Sequence, residues 1–133
     1  MCGIAGIIGT HRVNPAAVSA MTDLQDHRGP DDSGSWASAD GKIVFGHRRL
    51  SVIDPTPAAH QPMVDPDGRF VLSFNGEIYN YVEIAARLRR EGVEFNHGSD
   101  TAVLLEAFRR WGTDCLSELN GMFAFALYDG VEG

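Results

Sequence analysis

The chain has 133 residues, the length of one domain, and its 44% hydrophobic and 22% charged content supplies one core and excludes a disordered chain. The net charge of −7 contains no block of like charges, so no basic footprint exists for a nucleic-acid backbone. Two cysteines, Cys2 and Cys115, make no disulfide framework and point to a reducing compartment, taken as the cytoplasm, and no apolar run approaches a membrane span.

The opening MCGIAGIIG is short, and His11 and Arg12 follow it instead of preceding it, the reverse of a signal peptide. Residues 4–8 read as a first strand, apolar on both faces and hence buried. Asn14-Pro15 predicts a helix start, with Asn14 as N-cap and Val18, Met21 and Leu24 as the apolar face. Residues 27–33 (HRGPDDS) read as a loop. Residues 34–37 and 42–47 read as paired strands joined at Asp40-Gly41. A short strand is expected over 50–53, then a break at Pro55 and Pro57. Asp67-Gly68 marks a second hairpin turn before a strand over 70–74.

Asn80 followed by Glu83 resembles a capping box, opening a helix that buries Ile84, Ala85 and Leu88. Asp100 is placed as the cap of a further helix with the stripe Val103, Leu104, Ala107, Phe108 and Trp111. A short helix over 113–119 and a central strand over 122–128 (MFAFALY) complete the chain. Hairpin-linked strands with several helices make the class α+β, sheets layered against helices.

Cys2 is the first residue with chemical promise. Loss of Met1 would place a thiol and a free α-amine on one residue, and a partly neutral amine can serve its own thiol as base. Taken alone, Cys2 reads better as a small apolar residue opening a strand, since a free Cys is often simply buried. Arg48 and Arg49 stand at the edge of two apolar runs in FGHRRLSVID, where a solvated strand end is the plain reading. Asn75-Gly76 in FNGEIYNY reads by itself as a hairpin turn, and Asp100 in GSDT as an N-cap. The histidines His27, His47, His60 and His97 lack metal-ligand spacing and read as structural or exposed. Cys115 reads as a buried structural thiol.

Taken together and in this order, MCGI, HRGPDDSG, FGHRRLSVID, FNGEIYNY, GSDT and GMFAFALYD resemble the glutaminase domain of the asparagine synthetases. These are class II, N-terminal-nucleophile glutamine amidotransferases, and the resemblance runs over almost the whole of residues 1–133. It implies a four-layer α/β/β/α sandwich. It implies Cys2 as nucleophile toward the glutamine amide, and Asn75 with the Gly76 N–H as oxyanion hole. Arg49 matches the grip on the substrate carboxylate, Glu77 and Asp100 the hold on its ammonium. Arg28 and its loop match the pocket border.

The resemblance further implies that the domain continues beyond GMFAFALYD into more strands and a synthetase domain using ATP and Mg²⁺, so the chain is expected to be C-terminally truncated. No cofactor is expected for glutamine hydrolysis. The expected partners are glutamine and a synthetase domain or subunit supplied elsewhere, with no nucleic acid and no membrane, and an oligomer is left open. The alternatives are a non-catalytic scaffold and a glutaminase domain serving a different ATP-dependent amidotransferase.

Overall fold

The computed structural model describes residues 1–54, 56–94 and 98–132. His97, read above as structural or exposed, lies outside the described residues, as does Pro55. Two three-stranded antiparallel sheets form the middle of the molecule. The first has the order β1 (Gly3–Ile8), β3 (Ile43–Arg49), β2 (Asp32–Ala37). The second has β4 (Met63–Val64), β5 (Phe70–Ile78) and β6 (Gly121–Asp129) in that order. Helix α1 (Pro15–Asp23) lies on β1 and β3, and α3 (Asp100–Trp111) packs on β5 and on α2 (Tyr81–Arg90). Contacts of β1 and β3 with β5 join the sheets, giving the four-layer α/β/β/α order. No helix among the described residues is long and apolar enough to cross a membrane.

Burial follows the layers. Leu72, Phe74 and Ile78 of β5 meet Ile84 and Leu88 of α2 and Val103, Leu104 and Ala107 of α3 in one apolar cluster, with Cys115. Val71 and Ser73, on the alternate face of β5, are at 0% and 1% exposure, as a sheet covered on both sides requires. His47 at the centre of β3 crosses the interface, its Nε2 donating to the Phe74 carbonyl at 2.9 Å. Trp36 of β2 reaches Tyr128 of β6, ring centroids 5.0 Å apart.

Several expectations change. The strand over 50–53 does not form: its Leu50 and Ser51 amides go to Cys2 Sγ and Asp31 Oδ2, not to a neighbouring strand. β1 is an edge strand, half-buried, with Ile8 75% exposed. β6 is also an edge among the described strands, and Met122 is 71% exposed. Asn14 caps α1 as expected, accepting from Ala16 N–H at 3.0 Å. The buried stripe, however, is Val18 and Thr22, one turn apart, while Met21 and Leu24 are exposed. Val18 and Thr22 straddle Gly46 of β3, where an added Cβ would collide with Thr22 Oγ1 and stand 3.1 Å from Val18 Cγ1. The helix sits close to the sheet because that position has no side chain.

The capping box at Asn80 is absent. Its side chain instead donates to the Glu118 carbonyl (2.9 Å) and accepts from Asn120 N–H (2.9 Å), tying α2 to the entry of β6. Ser99, not Asp100, caps α3, accepting from Ala102 N–H at 3.1 Å. Residues 113–119 lie within and just beyond a 3₁₀ stretch, Gly112–Glu118, not an α-helix. The turns at Gly41 and Gly68 form as read, both with φ of 71°.

Candidate active site

The site is built at one end of the sheets. β1 pairs with β3 in the register Gly3↔Arg48, so Cys2 lies one step beyond, beside Arg49 and Leu50. Its Sγ is 3.4 Å from the Leu50 amide nitrogen and 3.8 Å from the Leu50 carbonyl. Its own carbonyl accepts from Arg28 Nε at 3.0 Å, so the loop after α1 clamps the start of the chain.

The end of β5 supplies the facing wall. An antiparallel strand sends its N–H groups alternately to its two neighbours. Tyr79 N–H goes toward β6, donating to Asn120. Phe70, Phe74 and Ile78 send theirs to the opposite edge, to Asp65 Oδ1, Gln61 Oε1 and Asp100 Oδ2. β4 covers that edge only at Val71 and Leu72. Gly76 falls between Phe74 and Ile78 in this alternation, so its N–H is directed to the same uncovered edge. Asn75-Gly76 is therefore mid-strand, not the hairpin turn its sequence suggests. A side chain at Gly76 would collide with the Met122 carbonyl and approach Phe123 Cα to 2.5 Å.

Cys2, Arg49, Asn75, Gly76, Glu77 and Asp100 all line one cavity of about 260 Å³. Small-molecule pockets run from roughly 300 Å³ upward, so this volume suits a ligand of amino-acid size. Arg49 is 6% exposed, not a solvated strand end. Its guanidinium donates to the Thr56 carbonyl at 3.1 Å and to the Asp54 carbonyl, which holds residues 50–54 against the cavity. Arg48 is also not solvated: its side chain is 15% exposed and ion-paired with Asp26. Asn75 Oδ1 is buried with no hydrogen-bond partner among the described residues.

Asp100 is 5% exposed, with Oδ1 accepting from Thr101 N–H at 2.9 Å and Oδ2 from Ile78 N–H at 3.2 Å. Burial raises its carboxyl above the usual range, against those two hydrogen bonds, and the charge of nearby Glu77 adds to the rise. The cavity thus carries a cation at Arg49 and acidic groups at Glu77 and Asp100, charges of both signs as a zwitterion requires.

Two residues near the site had no signal in the sequence. Gln61, 4% exposed, joins Phe74 N–H to Thr101 Oγ1 from a loop. His47 reads from the sequence as structural or exposed, and it is structural, though its partner across the sheets is not given by spacing. Burial lowers its imidazole to about 4. Such contacts depend on which segments meet, and spacing does not carry that. Cys115 is fully buried as read, and burial pushes its thiol up to about 11.

A family model described as a glutamine amidotransferase domain matches residues 1–133. The chain is 38% identical to asparagine synthetase [glutamine-hydrolyzing] 3 of Bacillus subtilis, over 97% of this chain and 21% of that protein. It is 39% identical to the asparagine synthetase of Zea mays, over 97% of this chain and 22% of the relative. The chain therefore spans about a fifth of the length of these curated relatives. Among solved structures it superposes on the glutamine phosphoribosylpyrophosphate amidotransferase from B. subtilis with a TM-score of 0.82, at 22% identity. That match covers 98% of this chain and 35% of the other, and at such identity it speaks to the fold alone. With the cavity, the fold and the family model in agreement, the chain belongs to the glutamine amidotransferase domain family.

Proposed function

We propose that this chain hydrolyses glutamine to glutamate and ammonia, with Cys2 as nucleophile. The observation that carries the reading is the convergence of Cys2, Arg49, Asn75, Gly76, Glu77 and Asp100 on one cavity. Met1 lines the same cavity, so its removal both frees the Cys2 amine and opens space beside the thiol. The amine takes the thiol proton, and sulfur attacks the side-chain amide carbon. The negative charge on the amide oxygen is met by the Asn75 amide and the Gly76 N–H, neutral donors fixed where charge develops. The C–N bond breaks, the nitrogen takes the proton back, and ammonia leaves a thioester on Cys2. Water then adds to the thioester, releasing glutamate and restoring the thiol.

Arg49 holds the substrate α-carboxylate with a guanidinium already fixed by two loop carbonyls. Glu77 and Asp100 hold the ammonium, each Asp100 oxygen keeping a lone pair beyond its backbone bond. In the same proposal the ammonia passes to a synthetase domain that uses ATP and Mg²⁺ to make asparagine from aspartate. The length of the relatives supports such a partner. A free thiol nucleophile suits the reducing cytoplasm.

The test is intact mass before and after treatment with diazo-oxo-norleucine, a glutamine analogue that traps the thiol. The expected result is a chain without Met1 that gains one adduct at Cys2, and none in Cys2→Ala. That variant should lose glutamine hydrolysis and keep its fold, since the thiol's hydrogen bonds among the described residues are weak ones to Leu50. A processed chain that takes no adduct would sink the reading and leave a scaffold.

A further inference from the structure

Gln61 lies between the 3₁₀ turn Pro57–Ala59 and β4, buried, with its side chain spanning two separate parts of the site. Its Oε1 accepts from Phe74 N–H at 2.7 Å, on the same edge of β5 as the Gly76 N–H and two residues before it. Its Nε2 donates to Thr101 Oγ1 at 3.4 Å, in the first turn of α3 next to Asp100. It also lines the cavity between them. Packing alone does not call for an amide here, because a buried amide is costly unless both ends are paired.

The geometry explains the residue type. Where β4 stops, Phe74 has lost its neighbouring strand on that edge. Gln61 takes its N–H, and His47 Nε2 supplies a donor for its carbonyl at 2.9 Å. Two side chains thus stand in for a strand at Phe74 and leave the edge uncovered one alternation later, at Gly76. A longer β4 in their place would pair Gly76 as well and close the site.

We propose that Gln61 is a positioning residue of the oxyanion subsite, holding β5 so that the Gly76 N–H points into the cavity and fixing that strand relative to Asp100. This inference rests on the glutaminase reading. Gln61 acts through Phe74 and Thr101, not on the reacting atoms.

The test compares glutamine hydrolysis with alkylation of Cys2 by iodoacetamide, a displacement that needs the thiol but forms no oxyanion. In Gln61→Met, kcat is expected to fall by about tenfold to a hundredfold, the range of a displacement of up to an ångström, with KM changed less. The alkylation rate is expected to stay at the wild-type level. Gln61→Glu keeps an acceptor oxygen for Phe74 N–H and should recover most of the kcat. Gln61→Asn withdraws the amide by one methylene and replaces Gln61→Met if that variant does not fold. Wild-type kcat in either folded variant would overturn the proposal, as would a fall in alkylation parallel to kcat. Absence of hydrolysis in the wild-type chain would instead remove the glutaminase reading, and this inference with it.

Discussion

Gly76→Ala is the most demanding single test of the site geometry. An alanine Cβ at this position would stand 2.5 Å from Phe123 Cα and 2.6 Å from Phe123 Cβ, and would collide with the Met122 carbonyl. Ordinary contact begins at 3.4 Å. β5 and β6 must therefore separate locally by about 1 Å, because backbone atoms cannot rotate away as a side-chain tip can. Overpacking of this kind costs about 1–3 kcal/mol, which for a domain of this size lowers the melting temperature by about 5–10 °C. The same displacement moves the Gly76 N–H, and a misplacement of about 1 Å costs about a hundredfold in rate. Glutamate release by a coupled assay, with a thermal melt alongside, reads both effects. A stable Gly76→Ala with wild-type kcat would refute the argument that this N–H faces the reacting carbonyl.

Three further outcomes follow from the geometry. Asp100→Asn removes the buried charge that faces the substrate ammonium; KM for glutamine should rise about tenfold or more, with kcat less affected, in steady-state kinetics. Arg49→Ala should raise KM and also loosen residues 50–54, because the guanidinium holds the Asp54 and Thr56 carbonyls. Faster proteolysis in that loop, beside the kinetic effect, is the expected signature. His47 has its imidazole lowered to about 4 by burial, so the native state excludes the proton. Its contribution to stability is complete above the ordinary value of 6.5 and is lost as pH falls from there toward 4. Denaturant midpoints of His47→Asn should vary less across that window than those of the wild type. A variant with unchanged slope would remove His47 as the source of acid lability.

Local signals in the sequence account for much of the frame. Asn14-Pro15, Gly41 and Gly68 specify helix start and turns through fixed φ or a missing amide, and these hold wherever the chain goes. The buried stripe of α2 follows from its period. Several of the failures share a source: residues whose polar groups found distant partners. Asn80 left its cap for Glu118 and Asn120, Leu50 and Ser51 gave their amides to Cys2 and Asp31, and Arg48 was drawn to Asp26. α1 turned its apolar Leu24 outward because Gly46 accepts Val18 and Thr22 instead. The candidate site is legible in the order of its motifs, not in the periodicity of its elements. Asn75-Gly76 alone pointed to a turn, and only the pairing of β5 with β6 shows it extended.

The brevity of β4 has a consequence outside catalysis. An uncovered strand edge is a template on which another chain can add a strand, and proteins usually guard such edges with charge, proline or a covering segment. Here the exposed run of β5 is guarded by Gln61 and Asp100, which occupy the amides on either side of Gly76, and by residues of the 50–54 loop that line the cavity in front of it. A substitution at either position that removes the acceptor oxygen, such as Gln61→Met, frees an amide for an intruding strand. Self-association of such variants would then rise in proportion to concentration, and light scattering would detect it before any change in secondary structure.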